Sequence, residues 1–131
     1  MMGLRSILRW IPAVVMMGLI FLASSTPASH LPYFGVLDLL VKKGGHAIGY
    51  ALLGLSYFYA LPNRLSIPYR ALMALFMAIL FSLSDEFHQS FVEGRTSTLR
   101  DVLIDTSGAT LALFAAGIYS SSSRSNSISG S

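Results

Sequence analysis

Between residues 84 and 101 the chain reads Ser84-Asp85-Glu86-Phe87-His88-Gln89-Ser90-Phe91, then Glu93-Gly94-Arg95 and Arg100-Asp101. Carboxylates, an imidazole, an amide and guanidinium groups sit there between two apolar runs, 71–81 and 111–119, that carry no charge. Neighbouring carboxylates and an imidazole can hold and pass protons. A guanidinium beside them can pair with a carboxylate or clamp an anion. Charge at the boundary of a bilayer is usually functional or topological, so the cluster reads as the mouth of a membrane hairpin.

Helical spacing extends the constellation. Lys42, Lys43, His46 and Tyr50 stand at separations of three, four and seven and share one helix face. Asp85 and Gln89 are one turn apart, as are Glu86 and Ser90, and Asp101, Asp105 and Gly108 form a stripe further on. Asp105 lies about one turn inside an apolar run, where an ionised carboxylate is costly unless it is paired or faces a wet cavity.

Each feature also has a plainer reading. Thr98 with Asp101 has the spacing of an imperfect capping box. Lys42 and Lys43 are candidate topological anchors, and an Arg95–carboxylate pair would serve to hold the hairpin together. Met16, Met17, Met73 and Met77 read as core or lipid-facing filler. Gly45, Gly49, Gly54, Gly108 and Ala112 are small enough for close helix approach, and His88 reads as a surface residue, off the Asp85 and Gln89 face.

The elements that must position these groups are membrane helices. In 131 residues, 53% are hydrophobic and 11% charged, the balance of a chain solvated mostly by lipid. Four apolar cores, 10–23, 44–61, 69–84 and 102–119, approach the roughly 20 residues that a spanning helix needs with its flanks. The predicted fold is an all-α bundle of four transmembrane helices over residues 1–119, with a disordered Ser-rich tail over 120–131. Breakers fall between the cores: Pro27 and Pro32, Pro62-Asn63 and Pro68, and Gly94. The first core has a second reading as a cleavable signal peptide, since Arg5 and Arg9 precede a short apolar stretch ending in small residues.

With four spans, the first and third loops share a side, which brings Lys43, His46 and Tyr50 beside Asp85, Glu86, Gln89, Arg95 and Asp101. The basic residues Arg5, Arg9, Arg64, Arg70 and Arg124 outnumber Lys42, Lys43, Arg95 and Arg100 opposite. That bias places both termini in the cytoplasm and the polar cluster outside. The nine Lys and Arg form no basic stripe, which argues against nucleic-acid binding. The lack of cysteine excludes disulfides and thiolate metal sites. No local metal-ligand spacing stands out, and no metal or cofactor is expected.

Lys43-x-x-His46-x-x-x-Tyr50-x-x-Leu53-Gly54, Ser84-Asp85-Glu86-x-x-Gln89-x-Phe91-x-x-Gly94-Arg95 and Asp101-Val102-x-x-x-x-x-Gly108-Ala109 resemble the pattern of the VanZ-like family of small bacterial membrane proteins. The run Ser24-Ser25-Thr26-Pro27 is similar too. The resemblance implies a polytopic helical protein of the bacterial cell membrane and, by way of the founding member, a contribution to teicoplanin resistance. It carries the family's polar positions to Lys43, His46, Tyr50, Asp85, Glu86, Gln89, Arg95 and Asp101. Where the family commonly has Asn four residues after the last Asp, this chain has Asp105.

His46, Asp85, Glu86 and Asp101 are therefore the candidate catalytic residues, and Lys43, Tyr50, Gln89, Arg95 and Asp105 the candidate ligand-binding ones. The expected partners are the lipid bilayer and an anionic lipid-linked or cell-wall ligand. Sequence alone does not separate an enzyme of the cell envelope from a non-enzymatic module whose polar cluster is a structural ion-pair network.

Overall fold

The computed structural model describes residues 3–130. It contains helices α1 (Leu4–Leu8), α2 (Ile11–Ser25), α3 (Asp38–Ala60), α4 (Ile67–Gln89) and α5 (Leu99–Ser129), with two 3₁₀ turns, Ala28–His30 and Gly35–Leu37, before α3. No strand occurs among the described residues. Local chemistry accounts for the boundaries. Proline sits at the starts of α2 and α4, where its missing N–H costs nothing. Gly94 adopts φ +74°, the left-handed conformation that lets the chain reverse between α4 and α5. Thr98 opens α5 by accepting a hydrogen bond from the Asp101 N–H, as its spacing predicts.

Among the described residues three helical stretches, Leu4–Ser25, Ile67–Gln89 and Leu99–Ser129, are long and apolar enough to cross a membrane. α3 is as long as α4, 23 residues, but carries Lys42, Lys43 and His46 in its first half. It packs against α2, α4 and α5. The core between them holds Tyr50, Leu53, Tyr57 and Phe58 of α3, Ala74 and Ala78 of α4, and Ala109 and Leu113 of α5. The outer faces carry exposed Leu72, Phe76, Leu111 and Phe114, side chains suited to lipid.

Small residues set the tightest crossing. A Cβ on Gly108 would come within 2.1 Å of the Ala47 carbonyl oxygen, whereas one on Gly54 would make ordinary contact, 3.4 Å from the Ala109 Cβ. Nothing lies within 4 Å of a Cβ on Gly45, so that glycine does not serve helix approach.

Past Tyr119, through the Ser-rich segment, α5 continues to Ser129, with residues 121–129 exposed. Short-range bonds accompany this: Ser127 and Ser129 donate their hydroxyls to the Arg124 and Asn126 carbonyls. Arg9 donates to the carbonyls of Tyr59 and Leu61 and to Asn63 Oδ1. It thereby satisfies acceptors that the end of α3 leaves open.

Candidate functional site

Asp85 faces inward from the last turns of α4 and is only 3% exposed. Its Oδ2 accepts from Ser24 Oγ of α2 (2.8 Å), from the Tyr50 hydroxyl of α3 (3.1 Å) and from Gln89 Nε2 one turn along (3.3 Å). Gln89 Nε2 also donates to Ser24 Oγ at 3.0 Å. Three helices thus meet on one carboxylate oxygen. In a membrane each interhelical bond contributes only about 0.6 kcal/mol on average, because the separated helices also find partners. The arrangement defines geometry more than it adds stability.

Two further carboxylates project from α5 toward α3. Lys43 Nζ bonds Asp101 Oδ1, and the Thr98 hydroxyl donates to Asp101 Oδ2 at 2.9 Å. One turn deeper, Asp105 is 1% exposed; Ser82 Oγ donates to its Oδ2 at 2.9 Å, and His46 Nδ1 lies 3.5 Å from its Oδ1. The face of α3 therefore reads out as a register, with Lys43 to Asp101, His46 to Asp105 and Tyr50 to Asp85. Lys42 bonds Asp38 at 2.9 Å and holds that half-buried carboxyl below the usual carboxylate range.

Glu86 is 5% exposed. Its backbone carbonyl accepts from Ser97 Oγ at 2.6 Å, while its side-chain Oε2 is buried without a partner, as are Asp85 Oδ1 and Asp105 Oδ1. Among the described residues no group of three His, Asp or Glu side chains is placed to hold a metal ion.

The expected pairing of Arg95 with a carboxylate of α4 does not occur. Its Nη2 donates to the Ala23 carbonyl of α2 at 3.2 Å, and its Nε is buried with no acceptor. Asp85 is already saturated on one oxygen by Ser24, Tyr50 and Gln89, and the turn through Gly94 carries Arg95 across to the end of α2. His88 also differs from its reading as a surface residue. It is half-buried, stacks on Phe21 with centroids 4.5 Å apart, and hydrogen-bonds Ser25 Oγ at 2.8 Å.

Two adjoining cavities open at this end. One, about 360 Å³, runs down the α2–α3 interface past Met16, Leu19, Ile20 and Gly49 and reaches His46, Lys42 and Arg95 at its mouth. The other, about 230 Å³, is more polar and includes Lys43, Gln89 and Thr96. Leu31, Lys42, His46 and Arg95 line both.

A chain-wide comparison accounts for this constellation: residues 9–120 match the family model VanZ/LLP1. The chain belongs to the VanZ/LLP1 family. No curated protein and no solved structure matches it. The match spans all the polar residues above, from Ser24 to Asp105, so this VanZ/LLP1 protein carries its buried polar network inside the region that defines the family. The spacing of the candidates foreshadowed most of the network, but Ser24, Ser82 and Ser97 escaped it. Ser24 belongs to the Ser24-Ser25-Thr26-Pro27 run, whose likeness to the family was the one available signal.

Proposed function

We propose that this VanZ/LLP1 protein is a multi-pass protein of the bacterial cell membrane that binds an anionic lipid-linked or peptidoglycan-associated ligand. The ligand's anionic group meets Arg95 and Lys42, and its apolar part lies along α2 and α3. The observation that carries this reading is the state of Arg95. Of the lysine and arginine side chains lining the two cavities, Lys42 and Lys43 are each paired with a carboxylate and Arg95 is not. A guanidinium with unspent donors at the mouth of an apolar groove is matched to an amphiphile with a charged head.

The polar residues divide accordingly. Arg95, Lys42 and His46 face the cavities and form the ligand-binding group. Asp85, Tyr50, Gln89, Asp101 and Lys43 bond one another across helices and hold its walls, which is the part of the alternative scaffold reading that specific contacts favour. Glu86, with an unpartnered buried oxygen, and His46 are the groups available for proton transfer to a bound ligand. With the termini in the cytoplasm the cavities face outward, where a role in glycopeptide resistance like that implied by the family's founding member would be exercised.

The test uses the full chain in lipid nanodiscs and a fluorescent lipid-linked cell-wall precursor. Arg95→Gln should weaken binding about tenfold or more at unchanged membrane abundance, since a charged hydrogen bond contributes about 1.5–3 kcal/mol. Arg95→Lys should recover only part of it, because an ammonium cannot reproduce the fork. Wild-type binding by Arg95→Gln would refute the assignment. In cells, the same substitution should abolish any teicoplanin tolerance that expression of the wild-type protein confers.

A further inference from the structure

The opposite end of the bundle holds a second set of charges that the reading above does not use. All six acidic residues, Asp38, Asp85, Glu86, Glu93, Asp101 and Asp105, belong to the end already described. Around the start of α4 there are only cations. Arg70 is 5% exposed, and its guanidinium has one protein hydrogen bond, from Nη2 to the Phe58 carbonyl at 2.8 Å. Its carbon lies 4.3 Å from the Phe58 ring centroid. Its Nε is buried with no acceptor. The ring face offsets part of the charge but supplies no anion, and the charges of Arg9 and Arg124 both bear unfavourably on it.

A buried cation without a counter-ion is costly. A topological anchor does not require that cost, because its charge stays in water or among headgroups. Arg70 instead borders an open cavity of about 800 Å³, lined also by Arg5, Ser6, Arg9, Asn63 and Ser120. Arg9 is spent on the α3 carbonyls and contributes charge alone. Arg5 is exposed, and no side-chain partner accompanies it among the described contacts.

We propose that this cavity is an anion site for a phosphate group, with Arg70 as its buried donor, Arg5 as its outer donor, and Ser6 and Ser120 as hydroxyl contacts. Guanidinium groups fork onto phosphate oxygens and neutralise them where a carbonyl cannot. The phosphate of an anionic lipid headgroup and a soluble phosphate present the same chemistry to these donors. The position of the cavity at the end of spanning helices makes both accessible.

The single tryptophan, Trp10, follows Arg9 at this end and packs on Tyr57 with centroids 6.5 Å apart, so its fluorescence reports here and not at the far cavities. The full chain in zwitterionic detergent is titrated with short-chain phosphatidylglycerol, with short-chain phosphatidylcholine and with inorganic phosphate. Phosphatidylglycerol should give a saturable change that the net-neutral phosphatidylcholine does not. Saturation by inorganic phosphate in the same concentration range assigns a soluble phosphate; saturation by phosphatidylglycerol alone assigns a headgroup. Arg70→Gln should raise the midpoint about tenfold or more, and Arg5→Gln, exposed and harmless to folding, should raise it by a smaller factor. Identical curves for the two lipids together with no response to phosphate would overturn the proposal. So would wild-type midpoints in Arg5→Gln and Arg70→Gln, or in Arg5→Gln alone should Arg70→Gln not fold.

Discussion

Asp105 shows how much one carboxylate depends on small neighbours. It is almost wholly enclosed, with the Ser82 hydroxyl on one oxygen and the His46 ring beside the other. An amide can accept from Ser82 through its oxygen and donate toward His46 through its nitrogen. Asp105→Asn should therefore keep wild-type folding and ligand binding. Asp105→Ala strands Ser82 and should cost about 1–3 kcal/mol, read as a fall in thermal stability in detergent. If Asp105→Asn inserts stably but loses function, the position is working as a charge or proton carrier. Ser24→Ala tests the neighbouring node. It removes one of three donors to Asp85 and an acceptor of Gln89, but Tyr50 and Gln89 still donate to Asp85, so a loss of about 0.6–1.7 kcal/mol is expected. An unchanged melting temperature would mean that water replaces the hydroxyl.

The face formed by Lys43, His46 and Tyr50 was legible in the sequence because helical period alone aligns them, and the structure gives each a different carboxylate. The fates of Arg95 and the serines were not legible. Charge-pair reasoning sends a guanidinium to the nearest acid in sequence, but Arg95 found a backbone carbonyl on α2, which leaves no mark in residue types. A serine in a membrane helix can bond its own backbone, as Ser56 and Ser84 do with Leu52 and Leu80, or cross to another helix, as Ser24 and Ser82 do. Only the packing of four helices decides which.

Between elements, the α3–α5 crossing is the contact most sensitive to a single atom. Gly54 and Gly108 mark it, and the sequence groups them with Gly45, Gly49 and Ala112 without ranking them. Geometry does rank them, because only at Gly108 does an added Cβ meet a backbone carbonyl, at 2.1 Å, that no side-chain rotation can move aside. Gly108→Ala should push the helices apart, displacing Lys43 from Asp101 and His46 from Asp105, at a cost of about 1–3 kcal/mol or more. Gly54→Ala should be nearly silent. The comparison is read as the difference in melting temperature between the two variants, and equal values would show that the crossing yields. The same scale explains how α5 runs beyond its apolar part. Low apolar content after Tyr119 argues against buried structure, and residues 121–129 are all exposed; the helix there continues one already nucleated in its apolar part.

At the scale of the whole molecule, the charges are sorted by end: every acid at one, and Arg5, Arg9, Arg64, Arg70 and Arg124 at the other. Fold class and the grouping of the polar residues followed from this sorting and from the apolar runs, since antiparallel helices bring alternate loops together. The direction of insertion rests on different physics. Basic residues are retained on the cytoplasmic side, and acids count for little in that rule; the acid-free end has five Lys and Arg against four, and the expectation of cytoplasmic termini rests on that count. The chain contains no cysteine, so single cysteines report cleanly. Asn63 precedes α4 and Glu93 follows it, both exposed and at opposite ends of the bundle. In intact cells an impermeant thiol reagent should label Glu93→Cys and leave Asn63→Cys untouched until the membrane is opened. The reverse pattern would place the Arg95 cavities in the cytoplasm, out of reach of any extracellular cell-wall ligand, and would overturn the proposed function along with the orientation.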